Sequence, residues 1–496
     1  YTNMFNYFEL NAVILDDPWW KLWGGIRANA GISSVWLGCT NEQTNIINEK
    51  ILLTEAGNLK ILSVKPDTSD IGQEVAISGR GFGKDRIANL VYFNSIPAVE
   101  YSLWNDTLIT VKVPLGAVSG KIYVSVNGIN SNTLDIRIFV PSRPFGQLWA
   151  WGNNEFGQLG DSTNILSYEP VKINPLWNCV AASAGMSYSL AINTYGKLYS
   201  WGNNSGGELG NGYTGNRNNP GQIGNAEDKW SFISASAFYS NSLGVTEEGW
   251  MLGWGRNDYG QVGDGTRQPK YSPIQIWGHD WAKVSVRGFH TLAITTDGKL
   301  YAWGRNNYGQ LGDSSFFDSL IPERIGKDQT WVSVSAGNSH SLAISSEGRL
   351  YGWGLNNKGQ VGNNSSETTI VPTRLGNGTN WAVVCAGDDN SFAITKDGKL
   401  YGWGDNYHYQ LGGNNNYDKA APTLIVSNVK WAKVSAGSWH TMAITTDGKL
   451  YGWGDNTYGQ IGDGTDILRT FPERVGSDNG WLDVSAGNIH TLGIRK

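Results

Sequence analysis

The sequence predicts an all-β fold: a seven-bladed β-propeller preceded by a small β-sandwich and a short N-terminal arm. Three observations predict it. The dipeptide Trp-Gly opens at Trp151, Trp201, Trp254, Trp303, Trp353, Trp403 and Trp453, at intervals of 50, 53, 49, 50, 50 and 50 residues. Self-similarity at a fixed period of this size signals a ring or solenoid built from one repeated unit. Each copy also breaks into strand-length runs bounded by Gly, Asn and Asp-Gly turns. Composition agrees, with 65 Gly, 23 Trp and 22 Tyr among 496 residues and only 16% charged residues. A chain this long exceeds one ordinary core, so several domains are expected.

Residues 1–60 form the arm. Asp16-Asp17-Pro18-Trp19-Trp20 and Trp23-Gly24-Gly25 place aromatic residues on what otherwise reads as coil. Trp19, Trp20 and Trp23 are the candidate attachment residues. Two roles fit them: packing against the sandwich, or docking the chain onto a neighbouring subunit of a larger assembly.

Residues 61–140 form the sandwich. Short runs at Val75–Ile77, Leu90–Phe93, Leu108–Val113 and Ile122–Val126 are separated by Gly, Pro and Asn, which is strand spacing for two packed sheets. Ile61, Pro66, Gly72 and Val75-Ala-Ile-Ser-Gly79-Arg-Gly-Phe-Gly83, with Val113-Pro114 and Val124-Ser-Val126, resemble the IPT/TIG immunoglobulin-like fold. The resemblance implies a spacer or contact module of a surface protein. Residues 141–147 contain Pro141 and Pro144 and read as a short, stiff linker.

Residues 148–496 form the propeller. In the clean copy, strands are expected at Trp431–Ala436, His440–Thr445 and Lys449–Trp453, with Asp447-Gly448 as a tight hairpin turn. Such two-residue turns need φ > 0 at both central residues. A looser fourth strand follows Gly-Gln-Leu-Gly, as at Pro322–Ile325 and Pro472–Val475. Four antiparallel strands in about 50 residues make one blade. The first copy lacks its opening strands, and the last, Trp481–Ile494, stops after them. The two pieces complete one blade, stitching the ring shut and leaving no open edge.

The pattern Trp-x-x-Val-Ser-Ala-Gly-x-x-His-Thr-Leu-Ala-Ile, Asp-Gly-Lys-Leu-Tyr-x-Trp-Gly, Gly-Gln-Leu-Gly resembles the regulator of chromosome condensation repeat. That resemblance implies a seven-bladed propeller. Its eukaryotic founders are exchange factors for a small GTPase on chromatin, using a wedge inserted in one blade and a basic tail. Copies spaced by 49 to 53 residues leave no room for a large wedge. Bacterial and phage proteins resembling the family use the ring as an interaction surface, secreted β-lactamase-inhibitor proteins among them.

Several function classes are excluded on residues alone. A net charge of −5 without a Lys/Arg run gives no electrostatic footprint for nucleic acid. No 18-residue apolar stretch exists, so no membrane span is expected. Three cysteines, Cys39, Cys179 and Cys385, cannot build a disulfide framework. Cys385 occupies the place of Ser335 and Ser435 and reads as a buried small residue. His290, His340, His440 and His490 share one place in their copies, with Tyr188, Asn241 and Asn390 in the others. A residue with one role in every blade is expected to bond neighbouring backbone. No metal spacing, phosphate loop or nucleophile elbow occurs, so no cofactor, metal or catalytic residue is assigned.

What every copy shares is scaffold, so function is sought where copies differ. If successive strands alternate in direction, the x-x residues of Ala-Gly-x-x-His and the residues after Trp-Gly lie at one mouth, opposite the Asp-Gly turns. The binding candidates there are Arg256, Arg287, Phe289 and Arg305, with Tyr308, Tyr407, Trp439 and Tyr458. Aromatic residues and Arg are the side chains that anchor interfaces. The expected protein is non-catalytic and extracellular, on a cell surface or a virion. It presents the propeller mouth to a protein partner or a surface glycan, for adhesion or host recognition. The alternative is a secreted inhibitor or regulator capping a partner protein, with exchange factor and propeller enzyme behind it.

Overall fold

The computed structural model describes strands at residues 21–24, 34–40 and 47–52. It then describes residues 59–496, except 71–72, 85, 87–88, 115–116, 118, 140–143, 174–177, 226 and 327–328. The chain divides into two compact units, Tyr1–Val140 and Pro141–Lys496. Trp19 and Trp20 lie outside the described residues. Trp23 falls on the strand Lys21–Gly24, so coil is not what surrounds it. That strand pairs antiparallel with Ser34–Thr40, which pairs with Ile47–Leu52. The expectation of coil missed this because the strand runs are short and flanked by Gly and Asn.

In the first unit two sheets face each other. One is ordered Lys60–Lys65, Glu74–Arg80, Leu108–Lys112, Tyr101–Trp104, and the other centres on Gly120–Val126 between Leu134–Phe139 and Leu90–Phe93. Alternate residues point inward: Val75 and Ile77, Val91 and Phe93, Ile109 and Val111, Ile122 and Val124 are all fully buried. Period-2 burial is what a half-buried antiparallel strand demands.

The second unit is a ring of seven four-stranded antiparallel blades. Blades 1 to 6 begin at the inner strands Asn178–Ala184, Trp230–Ala235, Trp281–Arg287, Trp331–Ala336, Trp381–Ala386 and Trp431–Ala436. Blade 7 is composite. Its inner strands Trp481–Ala486 and His490–Arg495 come from the end of the unit, and its outer strands Gly146–Gly152 and Ser167–Lys172 from the beginning. Gly152 pairs with His490 and Gln147 with Arg495, which is the staggered closure the copies require.

In blade 6 the inner strands are Trp431–Ala436 and His440–Thr445, followed by Leu450–Gly454. The outer strands run longer than expected, Ser319–Ile325 in blade 3 and Arg469–Arg474 in blade 6. The hairpin turn differs in type. At Asp297-Gly298 only Gly298 has positive φ, +79°. Its N–H donates to the Thr295 carbonyl at 2.9 Å, and Thr295 N–H donates to Lys299 at 3.0 Å. This is a three-residue loop, a type I turn closed by a left-handed glycine.

The shared residues of the repeat join blades to one another. Each loop after a Trp-Gly strand lies over the next blade, and the carbonyl of its Gln, or of Glu208 in blade 1, accepts twice from it. Trp201 Nε1–H and the Ser189 hydroxyl of blade 1 both donate to the Gln158 carbonyl, at 2.9 and 2.7 Å. The same fork recurs around the ring, ending with Trp151 and Thr491 on Gln460. Gly160 must lack a side chain because the Trp201 indole would sit 2.6 Å from its Cβ.

At the centre, each inner-strand hydroxyl accepts the N–H of the following blade. The chain runs from Ser183 to Ala235 (2.9 Å) around to Ser485 and Ala184 (2.9 Å). Cys385 Sγ fills this role between blades 5 and 6, accepting from Ala436 at 3.3 Å. The histidines bond between blades as well, chiefly to hydroxyls rather than to backbone as expected. His490, His290, His340 and His440 each meet the buried hydroxyl of the next blade at 2.8–3.0 Å. That hydroxyl already donates to a Gln carbonyl, so its oxygen is the free partner for the imidazole. Tyr188 reaches backbone, donating to Asn241 O at 2.6 Å, and His490 also bonds the backbone of Tyr188.

Candidate functional site

The mouth is defined by seven equivalent hydrogen bonds. The residue after each Trp-Gly donates its N–H to the carbonyl of the second x residue in its own blade, as in Arg256 to Ser240, Arg305 to Phe289 and Asp405 to Asp389. The two variable sets therefore lie side by side, and the Asp-Gly turns lie at the other ends of the same strands.

Across blades 2 and 3 the variable tips form one continuous cluster. Tyr239 and Phe289 have ring centroids 4.3 Å apart, Tyr259 and Phe289 5.0 Å, and Phe238 meets Phe289 edge-on at 6.1 Å. The Arg256 guanidinium lies over Tyr239 at 5.3 Å. Arg305 lies over both Tyr259 and Phe289 at 4.9 Å. Cation–π contact orients each planar guanidinium, and Arg256 also hydrogen-bonds the Tyr239 hydroxyl. Asp258 belongs to the same patch and accepts from the Tyr239 hydroxyl at 2.9 Å.

A second aromatic group stands on blades 5 and 6. Trp439, 43% exposed, stacks on His408 at 5.1 Å, and Tyr407, 68% exposed, meets His408 at 5.0 Å. Tyr308 and Tyr458 are exposed at the same mouth without joining either cluster. Around blade 5 the tips are acidic. Asp388 and Asp389 sit beside Asp405, and Lys358 reaches Asp405 and Asp418 at 3.4 Å each. Burial, with Asp388 and Asp405 close by, pushes the Asp389 carboxyl up to about 6.

Arg287 does not stand with the other candidates. It is 6% exposed and reaches across the ring from blade 3. Its Nε donates to Asp388 of blade 5 at 2.9 Å and its Nη1 to the Ala436 carbonyl of blade 6 at 2.8 Å. The binding role expected of it gives way to a physical reason: every other copy has Gly or Ser here, so the space over the small-residue core is open to one long side chain. A central cavity of about 120 Å³, lined by inner-strand Ser and Ala residues, runs beneath it.

Phe238 was missed from sequence, and Tyr239 and Tyr259 were not singled out. The signal was the 53-residue interval. Blade 2 has five residues between Ala235 and Asn241 where blade 6 has three between Ala436 and His440, and the extra pair raises Phe238 and Tyr239 into the cluster.

Beneath the tips lies a pairing that differs between sectors. The Gln Nε2 of a loop normally donates to the residue after Trp-Gly: Gln158 to Asn153 at 2.7 Å and Gln460 to Asp455 at 2.7 Å. Leu355 cannot accept, and Asp389 of the next blade replaces it, taking the Gln360 amide at 3.1 Å. In blades 2 and 3 the corresponding residues are Arg256 and Arg305, which are donors. Gln261 Nε2 and Gln310 Nε2 are buried there without an acceptor. Among the described residues no group of three His, Cys, Asp or Glu side chains is placed to hold a metal ion. No described helix is long and apolar enough to cross a membrane.

The sequence matches the model of the regulator of chromosome condensation (RCC1) repeat seven times, at residues 146–192, 195–243, 248–294, 297–344, 347–394, 397–444 and 447–494. Residues 59–137 match the IPT/TIG domain. Human E3 ubiquitin-protein ligase HERC2 is 29% identical over 140 residues, 28% of this chain but 3% of that protein. Human WBSCR16 superposes with a TM-score of 0.65 at 22% identity, covering 71% of this chain and 99% of its own. Prp20p of Saccharomyces cerevisiae gives 0.64 at 20% identity, covering 72% and 93%. Likeness at that identity concerns the fold. With seven matched repeats spanning most of its length, the chain belongs to the regulator of chromosome condensation (RCC1) repeat family.

Proposed function

We propose that the protein is a non-catalytic interaction module whose variable mouth binds a protein partner. One observation carries this reading. The Trp, His, Ser and Gln residues common to the copies are occupied in bonds between blades, whereas the tips of blades 2 and 3 join Arg and aromatic side chains into one patch. Desolvated aromatic and Arg anchors are where binding energy concentrates. Prp20p of Saccharomyces cerevisiae, a propeller of the same fold, binds Gsp1p and histones. In keeping with the composition, we place this module outside cells, on a cell surface or virion, with residues 1–60 as its attachment.

Replacing Phe289 and Trp439 together with Ala tests the mouth. Partner binding measured by surface plasmon resonance is expected to fall by at least tenfold, with the thermal midpoint within about 2 °C of the parent because both are half-buried or exposed tips. Unchanged binding moves the recognition site to the Asp-Gly face. Deleting residues 1–60 separates the attachment role, since partner binding is then retained while incorporation into the surface or particle is lost.

A further inference from the structure

We infer that the sector of the mouth formed by blades 2 and 3 takes an acidic protein segment, whose carboxylates meet Arg256 and Arg305 while apolar side chains cover Phe238 and Phe289. The inference rests on the mouth being the binding face, and it adds the chemistry of the partner. Neither guanidinium has a carboxylate partner among the described residues. Each is instead stacked on aromatic rings, Arg256 on Tyr239 and Arg305 on Tyr259 and Phe289, at 4.9–5.3 Å. By contrast Arg267, at the rim, is already paired with Asp318 at 3.0 Å.

The buried layer points the same way. Where the tip residue is Asn or Asp, the Gln amide beneath is satisfied within its own loop. Where it is Leu355, the neighbouring Asp389 moves into the role. The neighbour offered to Gln261 is Phe289, which cannot accept through its side chain, and the Gln261 Cα lies 3.3 Å from the position of a Cβ on Gly304, next to Arg305. The two Arg blades are thus the two whose tips donate and whose buried Gln Nε2 atoms lack acceptors. Asp258, a carboxylate of the patch, is held by the Tyr239 hydroxyl. A surplus of donors beside exposed aromatic carbon complements a ligand that brings acceptors and apolar groups. Planar guanidinium forks recognise carboxylates bidentately. Phe238, 37% exposed, extends the apolar part outward.

The test uses the full chain and a fluorescein-labelled peptide of alternating Glu and Phe, with Gln-Phe and Lys-Phe peptides of equal length as comparators. By fluorescence anisotropy the Glu-Phe peptide is expected to bind at least tenfold tighter than Gln-Phe, with affinity falling as salt rises from 50 to 200 mM. Arg256→Gln with Arg305→Gln should remove that preference, and Arg305→Lys should retain part of it. Equal binding of the Glu and Gln peptides, or a preference that survives the double substitution, overturns the inference. So does a sulfated oligosaccharide that binds while the Glu-Phe peptide does not. A photocrosslinking residue at Tyr308 or at Lys399 on the opposite face reports the mouth separately. Partner crosslinks at Tyr308 without peptide preference defeat only the acidic chemistry, whereas crosslinks confined to Lys399 defeat the mouth itself.

Discussion

The blade 2–3 sector and the blade 5 sector use the same backbone positions for opposite chemistry. After Trp-Gly, blades 2 and 3 carry Arg256 and Arg305, whereas blade 5 carries Asp405. In blade 5 the tip carboxylate and its Gln are neighbours within hydrogen-bond reach, so the sector closes on itself. In blades 2 and 3 tip and Gln are both donors, and the sector remains open to acceptors. The difference teaches that the tip residue has two readers, the solvent above and the buried amide below. A change that suits one is felt by the other.

The largest expected effect breaks the link between the sectors. Arg287→Met keeps much of the length but leaves Asp388 without its ion pair. Removing one partner of a buried pair costs about 3–5 kcal/mol, so chemical denaturation should show a loss of that order. A loss below about 1 kcal/mol means the cross-ring contact does not hold the blades. Next comes Asp389→Asn, which keeps an acceptor for Gln360. The folded carboxyl titrates near 6, above its unfolded value near 3.9. Its favourable contribution is present below about pH 4 and disappears as pH rises through 6. The Asn variant should therefore be more stable than the parent by roughly 1–3 kcal/mol at pH 8 and equal to it at pH 4. Identical pH profiles would show that the crowding of Asp388 and Asp405 is not felt. The smallest effect sharpens the comparison itself. Arg305→Asn recreates the Asn153–Gln158 arrangement and gives Gln310 Nε2 its acceptor. Stability should rise by about 0.5–1 kcal/mol, the net worth of one hydrogen bond, as Glu-Phe peptide binding falls. A loss of stability would mean that the stacked guanidinium outweighs the amide.

How much of this was legible in the sequence follows from what periodicity can encode. The inner strand and its neighbour in blade 6 could be bounded at Trp431–Ala436 and His440–Thr445 because identical residues in register mark identical geometry. Ring closure was legible from the missing first strands and the surplus last ones. Alignment with Ser335 and Ser435 marked Cys385 as a small inner-strand residue, but not as the part-buried acceptor for Ala436 that it is. What escaped depends on contacts between copies. Whether a histidine meets a carbonyl or a neighbour's hydroxyl turns on the offset between blades, which no single copy contains. Arg287 was visible as a departure, but its partners lie 101 and 149 residues away across the ring. The Phe238 cluster is written in an insertion of two residues, visible only as the longer 53-residue interval.

The composite blade has a consequence for how the ring comes to exist. The strand Gly146–Gly152 pairs early with Ser167–Lys172, but its inner neighbour His490–Arg495 comes more than 300 residues later on the growing chain. Until then an emerging propeller is a crescent with two exposed strand edges, each complementary to the other. Pairings so remote in sequence are slow to form, and open edges invite pairing with another chain. Two nascent molecules held close together therefore have a second way to satisfy these edges, each lending its late strands to the other's early ones.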